Sequence, residues 1–281
     1  MATPGYTVRT MRREELDLAV EWAAAEGWNP GLRDADCFWA ADPQGFLVGE
    51  LDGQPVATIS AVNYGTFGFV GFYIVRPDMR GKGYGLTIWN EAMLRMSGVN
   101  AGLDGVLAQE AAYRRSGFKT AYSNIRFSWD QPPDPCVAER LVPLEDMPFA
   151  EIAAYDGHSF PAPREAFLRC WLSMPNARGL AVVREGEILG YGVVRTCLEG
   201  SKIGPLFAED CEVAETLLLG LGAASEQGPV FLDVPETNVR GVRMAGRYGM
   251  TEVFRTVRMY TGPEPDIDVF KVFGVTSFEL G

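Results

Sequence analysis

The segment RPDMRGKGYGLTIWNEAML, Arg76 to Leu94, concentrates groups suited to holding a diphosphate. Gly81, Gly83 and Gly85 alternate just ahead of a helical stretch. Glycine lets a backbone take positive φ and approach a phosphate closely. The first turn of a helix leaves its N–H groups without intrahelical acceptors and carries a partial positive charge. Up to Gly85, Arg76, Arg80 and Lys82 add three cations against one acid, Asp78. The whole chain carries 25 Lys and Arg against 37 Asp and Glu, a net charge of −12, so this segment reverses the sign locally. A Walker-type loop needs GxxxxGK followed by Ser or Thr, and the segment lacks it. The dinucleotide pattern GxGxxG fits at Gly81 and Gly83 but meets Leu86 at its third glycine.

Composition bounds the alternatives. Apolar residues make up 47% and charged residues 22% of 281, a globular profile. The acidic balance argues against a nucleic-acid or membrane-surface partner, which requires clustered cations. His158 is the sole histidine, so a multi-histidine metal site is excluded and no metal is expected. Five scattered cysteines without CxxC spacing predict a reducing compartment and no disulfide framework. The start MATPGYTVRT has no basic and apolar leader, and no apolar run approaches the ~18 residues of a membrane span. The expected location is cytoplasmic.

The elements that must position the glycine loop follow from periodicity. Strands are expected at Tyr6–Met11, Phe46–Leu51, Pro55–Val62, Gly68–Val75, Leu103–Leu107 and Lys119–Trp129. Helices are expected at Arg12–Glu26, Asp34–Ala40, Leu86–Met96 and Ala111–Ser116. A mostly antiparallel set leading into a βαβ unit gives an α+β, or mixed α/β, class. The proline-rich run DQPPDP, Asp130–Pro135, reads as a linker between domains at 1–130 and 136–281. Gly117 and Gly249, and Arg126 and Arg258, lie 132 residues apart, and Gly53 and Gly186 lie 133 apart. Each pair sits in a similar local pattern, which indicates duplication.

The arrangement R-x-x-G-x-G at Arg80, Gly83 and Gly85, after an apolar strand and opening a helix, resembles motif A of the GCN5-related N-acetyltransferase (GNAT) superfamily. AAYRRSGFKTA, Ala111–Ala121, resembles that family's Tyr-x-x-x-Gly-Phe segment, and the similarity covers most of residues 5–129. IGPLFAED, LDVPETN and VRMY resemble the C-terminal domain of a little-characterised bacterial tandem-GNAT group. The resemblance implies two tandem GNAT-like domains, each a mostly antiparallel sheet flanked by helices. It implies acetyl-CoA as cosubstrate, Arg80, Gly81, Lys82, Gly83, Tyr84 and Gly85 on its pyrophosphate, and Ile74 and Val75 along its pantetheine arm. The implied reaction is N-acetylation of a primary amine on a small molecule or peptide, by direct attack in a ternary complex. A non-catalytic CoA-binding protein and an enzyme of longer acyl-CoA donors are the alternatives. Tyr113, four residues before Gly117, matches the family's frequent general acid.

Many relatives carry a catalytic glutamate on the strand before motif A, but Phe67–Val75 holds no acid. Glu110, Asp36, His158 and Asp233 are the candidates for the base. Trp28, Phe38, Trp39 and Tyr73 are candidates to line an acceptor pocket, and Asp156, His158 and Arg164 to recognise substrate. In the second half the motif position falls near Glu212–Leu217, where acids replace the cations, and Ala245 stands where the tyrosine should be. That half is expected to shape the acceptor pocket rather than bind CoA. Acceptor identity and oligomeric state stay open.

Overall fold

The computed structural model describes residues 4–132, 141–225 and 228–281. Pro133–Pro135 of the expected linker and Cys136 lie outside the described residues. In the first half β1 (Tyr6–Thr10) precedes helices α1 (Arg13–Ala25) and α2 (Asp34–Ala41). The meander β2 (Phe46–Leu51), β3 (Gln54–Asn63) and β4 (Phe67–Val75) leads through the glycine loop into α3 (Tyr84–Arg95). Next come β5 (Asn100–Val106), α4 (Glu110–Arg115) and β6 (Lys119–Trp129). The second half runs β7 (Leu141–Pro143), α5 (Phe149–Asp156), α6 (Glu165–Leu172), β8 (Ala177–Arg184), β9 (Glu187–Thr196) and β10 (Ser201–Ala208). It closes with α7 (Cys211–Ala223), β11 (Val230–Pro235), α8 (Val239–Arg247), β12 (Thr251–Tyr260) and β13 (Val272–Gly274). The mixed class and largely antiparallel pairing are those expected; β4–β5 and β10–β11 are the parallel pairs among the described strands.

The two halves share one continuous 13-stranded sheet, ordered β1-β2-β3-β4-β5-β12-β6-β11-β10-β9-β8-β7, with β13 on β10. The last strands are exchanged: β12 pairs with β5 of the first half, and β6 pairs with β11 of the second. Their mutual register sets Arg126 opposite Phe254, Asn124 opposite Thr256 and Tyr122 opposite Arg258. Under the 132-residue offset these pairings map onto one another, so a pseudo-two-fold axis passes between Asn124 and Thr256. The same exchange pairs each arginine with the other half's aspartate. Arg126 binds both oxygens of Asp233 at 2.7 Å, and Arg258 binds Asp104 at 2.8 and 2.7 Å. All four side chains are buried, where such a pair is tolerated only when its geometry is good and its hydrogen bonds are made.

Side-chain alternation along the strands divides the core into layers. Phe46 and Val48 of β2 face a cluster shared by α1, α2, α5 and α6, while Leu47 faces α3. The second half's α7 and α8 cover β9, β10 and β11 through Val213, Leu217, Leu221 and Met244. The axis also runs between α2 and α6. Phe38 stacks on Trp171, 133 positions later, with centroids 6.1 Å apart. Cys37 and Cys170 are likewise 133 apart and form a disulfide. This corrects the expectation drawn from an odd, scattered cysteine count: equivalent positions of two copies meet at their symmetry axis, however far apart in sequence. Asp34 and Arg195, both fully buried, add a further ion pair between the halves.

Candidate active site

The glycine loop sits where two parallel strands part. β4 and β5 pair only between Phe67–Val70 and Asn100–Leu103. Beyond that point a wedge opens into a cavity of about 620 Å³, walled by β4, the loop, α3, Tyr113 and β12. The edge of β4 along the wedge is distorted. Its register against β3 shifts between Thr58 and Ser60, and Phe72 takes φ +47°. Positive φ at a bulky residue is costly and is held only by surrounding structure. Here Thr58 Oγ1 donates to the Phe72 carbonyl at 2.9 Å and the Phe72 ring is buried against Phe38.

The helix start has the features a phosphate needs. Gly81 and Gly83 have φ of +75° and +89°, and Gly83 is the N-cap of α3 with no side chain capping it. The first bond of the helix runs from Thr87 N–H to the Gly83 carbonyl at 3.2 Å. The N–H groups of Tyr84, Gly85 and Leu86 therefore have no intrahelical acceptor. A Cβ at Gly85 would lie 2.8 Å from Tyr73 Oη, so a side chain there would push the helix off β4. At Gly81 and Gly83 an added Cβ meets nothing within 4 Å: open space faces the loop. The loop thus fits a diphosphate by its backbone.

Its side-chain charge is more balanced than the sequence implied. Arg76 is held by Asp78 through two contacts of 2.7 Å. Arg80 pairs with Glu26, and its Nε donates to the Val75 carbonyl at 2.9 Å. Lys82 is exposed, its Nζ 3.6 Å from Met79 Sδ. Two of the three cations thus already have carboxylate partners, and Glu26, unremarked in sequence, lines the cavity mouth.

Tyr113 lines the same cavity from α4, packed against Trp89 at 5.6 Å between centroids. It also lies over Gly105, where a Cβ would come within 2.3 Å of its ring. Burial pushes its phenol up to about 12. The hydroxyl is therefore protonated at neutral pH and can give a proton rather than take one.

The four suggested bases are all elsewhere or engaged. Glu110 is hydrogen-bonded by Thr120 and Arg114, which hold its carboxyl below the usual range. Asp36 is exposed and bound by Arg13, His158 is exposed, and Asp233 is locked to Arg126. Asp156 and Arg164 form a buried pair joined by Tyr191 Oη. Of the four aromatics, Trp28 and Tyr73 line the cavity, while Phe38 and Trp39 belong to the core.

The second half reaches this cavity with Phe254 and Thr256 of β12 and with Phe278 and Glu279 of the tail after β13. The tail lies against the distorted strand: a Cβ at Gly71 would come within 2.2 Å of the Glu279 carbonyl. No motif marked these residues. The equivalent wedge in the second half is filled. β10 and β11 pair only at Ser201–Ile203, and beyond that β13 lies on β10. The start of α7 is capped by Asp210, which accepts from Val213 N–H at 3.0 Å. Among the described residues no cluster of three or more metal-binding side chains occurs.

A splayed parallel strand pair with an uncapped, glycine-bearing helix start defines an α/β class whose wedge suits an anionic ligand. Comparison with known proteins makes the class specific. The profile described as "Acetyltransferase (GNAT) family" matches residues 10–118, and that described as "Acetyltransferase (GNAT) domain" matches residues 152–274. A holothin acyltransferase from Pseudoalteromonas sp. (strain SANK 73390) is 32% identical over 278 residues, 98% of this chain and 95% of the relative. A putative acetyltransferase from Pyrococcus horikoshii superposes with a TM-score of 0.86 at 21% identity, covering 100% of this chain and 98% of that one. A tandem GNAT protein from the clavulanic acid biosynthesis pathway gives 0.63 at 16% identity, covering 92% and 99%. The chain belongs to the GNAT superfamily, as a tandem-domain acyltransferase.

Proposed function

We propose that this acyltransferase moves the acetyl group of acetyl-CoA to a primary amine of a small molecule, at one site built by the first half and closed by the second. The observation that carries the reading is the wedge between β4 and β5, open at an uncapped helix start and lined by Tyr113. Gly81 to Gly85 would hold the pyrophosphate through the backbone, with Arg80 and Lys82 beside it. Ile74 and Val75 would align the pantetheine arm as an added strand. Val75 is released for that role when Arg80 turns from its carbonyl to a phosphate. Once bound, the donor supplies a thioester open to an amine. Holding both reactants in one cavity replaces a bimolecular encounter by an oriented one. Tyr113 gives its proton to the departing sulfur.

The second half's wedge, closed by β13 and capped by Asp210, is not a second donor site on this reading; the domains at 1–130 and 136–281 divide the labour as donor site and acceptor wall. A longer acyl group is the second reading. It is favoured by the cavity running past Tyr73 to Phe254 and Phe278, and by the relative's description as an acyltransferase. The test is free-thiol release from acetyl-, butyryl- and octanoyl-CoA with a panel of primary amines. Release with acetyl-CoA above the longer donors is expected. Acyl-CoA binding without thiol release from any amine would sink the enzymatic reading, and faster octanoyl transfer would replace the acetyl assignment.

A further inference from the structure

Where the acceptor's proton goes is answered by the tail. Glu279 is 2% exposed, and its Oε1 is buried with no hydrogen-bond partner among the described residues. Thr256 Oγ1, on β12, is also buried and without a partner among the described residues. Both residues line the wedge that holds the glycine loop and Tyr113. Buried polar groups are rarely left unpaired, because each loses its water without compensation. Two in one cavity, one of them a carboxylate, mark a place for a ligand that donates hydrogen bonds. Trp28, Phe254 and Phe278 complete that part of the wall, and an aromatic wall with a carboxylate suits an alkylammonium group.

Among the described residues the neighbouring charges have other partners than Glu279 Oε1. Asp34 is bound by Arg195, and Asp233 by Arg126. Lys202 of β10, also buried, donates to the Asn29 carbonyl at 2.8 Å. The charges acting on Glu279 are thus Lys202, Arg126 of β6 and Arg195 of β9, all cationic, and Asp34 of α2. Burial outweighs the cations and holds its carboxyl above the ordinary value of 4.5. A carboxylate moved toward neutrality is a better proton acceptor near physiological pH.

We propose that Glu279 is the catalytic base: it receives the acceptor's ammonium together with Thr256 Oγ1 and takes the proton that the amine sheds. This rests on the transferase reading above. The ammonium first gives one proton to the Glu279 carboxylate, which passes it to solvent and leaves a neutral amine; as the C–N bond forms, the C–S bond breaks and its electron pair stays on sulfur. The amine's proton passes to the Glu279 carboxylate, and the Tyr113 proton passes to sulfur. Solvent then restores both side chains.

The test compares wild type with Glu279→Gln in thiol release from acetyl-CoA with benzylamine and its alkyl homologues. Glu279→Gln should keep its thermal stabilisation by acetyl-CoA, lose about 10² or more in kcat/KM, and lose the rising limb of the pH profile. Equal rates and an unchanged profile would overturn the assignment. A wild type that binds acetyl-CoA but never releases thiol would instead remove the transferase reading, and the base with it. A second readout needs no turnover. A raised pKa means that the folded state holds the proton longer than the unfolded one, so stability falls as pH rises above about 4.5 through the raised value. That fall should be smaller in Glu279→Gln. If Glu279→Gln fails to fold, Glu279→Asp decides. It withdraws the carboxylate by one methylene and should slow transfer while keeping the rising limb; an undiminished rate would refute the role.

Discussion

Replacing Gly83 separates backbone strain from charge. Gly83 caps α3 at φ +89°, and a Cβ there meets nothing within 4 Å. Any L-residue should therefore fit but cost about 1–2 kcal/mol for its left-handed backbone. Gly83→Ala carries only that cost. Gly83→Asp adds a carboxylate in the space facing the orphan N–H groups. Two unit charges about 5 Å apart at an effective dielectric of about 20 repel by about 3 kcal/mol, close to a hundredfold loss in affinity. Acetyl-CoA at about 100 times its dissociation constant stabilises the wild type by about 2.7 kcal/mol. At about 2.1 cal/mol/K per residue, 281 residues give an unfolding entropy of about 0.6 kcal/mol/K. The wild type should then gain about 4–5 °C in a thermal melt. At the same donor concentration Gly83→Asp should gain under about 1 °C, because only about 0.4 kcal/mol remains. Both variants should melt about 2–3 °C below wild type without ligand, from the strain alone. A full shift in Gly83→Asp would show that the donor phosphate does not rest on this turn.

Three further outcomes follow from the same geometry. Tyr113→Phe should lower kcat by about 10²-fold while leaving donor stabilisation intact, as steady-state kinetics beside melts will show. Glu26→Gln frees Arg80 from its carboxylate and should tighten acetyl-CoA binding several-fold at low salt, read by calorimetry. Reducing the Cys37–Cys170 disulfide opens a loop spanning 133 residues, for which chain entropy sets an upper figure of about 5 kcal/mol. A fall in melting temperature is therefore expected on adding dithiothreitol to wild type and not to Cys37→Ser.

Much of the first half was legible because local chemistry decides it. β2 and β6 fall on the expected residues, and α3 begins two residues early because Gly83, not Leu86, ends the loop. Gly81 to Gly85, Tyr73 and Tyr113 converge on one cavity. What was hidden is long-range. The 132-residue offset between Arg126 and Arg258 revealed the duplication but not that the last strands trade places, since a repeat offset does not say which copy's edge β12 joins. The offset between Cys37 and Cys170 held the disulfide, yet only a symmetry axis between α2 and α6 turns equal spacing into contact. The pairing of Arg80 with Glu26 depends on α1 ending beside the loop. Glu279 and Thr256 lacked any motif, because a single acid on a tail gains its meaning from the wedge it enters. The base was sought at Glu110, Asp36, His158 and Asp233, whereas the fold brings Glu279 beside β4 from residues late in the chain.

Backbone hydrogen exchange, followed with and without acetyl-CoA, reads the donor site residue by residue. The amides of Gly81 to Leu86 should slow at least tenfold on binding, while those at the start of α7, already capped by Asp210, stay unchanged. Protection at α7 with none at Gly81 to Leu86 would contradict the assignment of the donor to the first half.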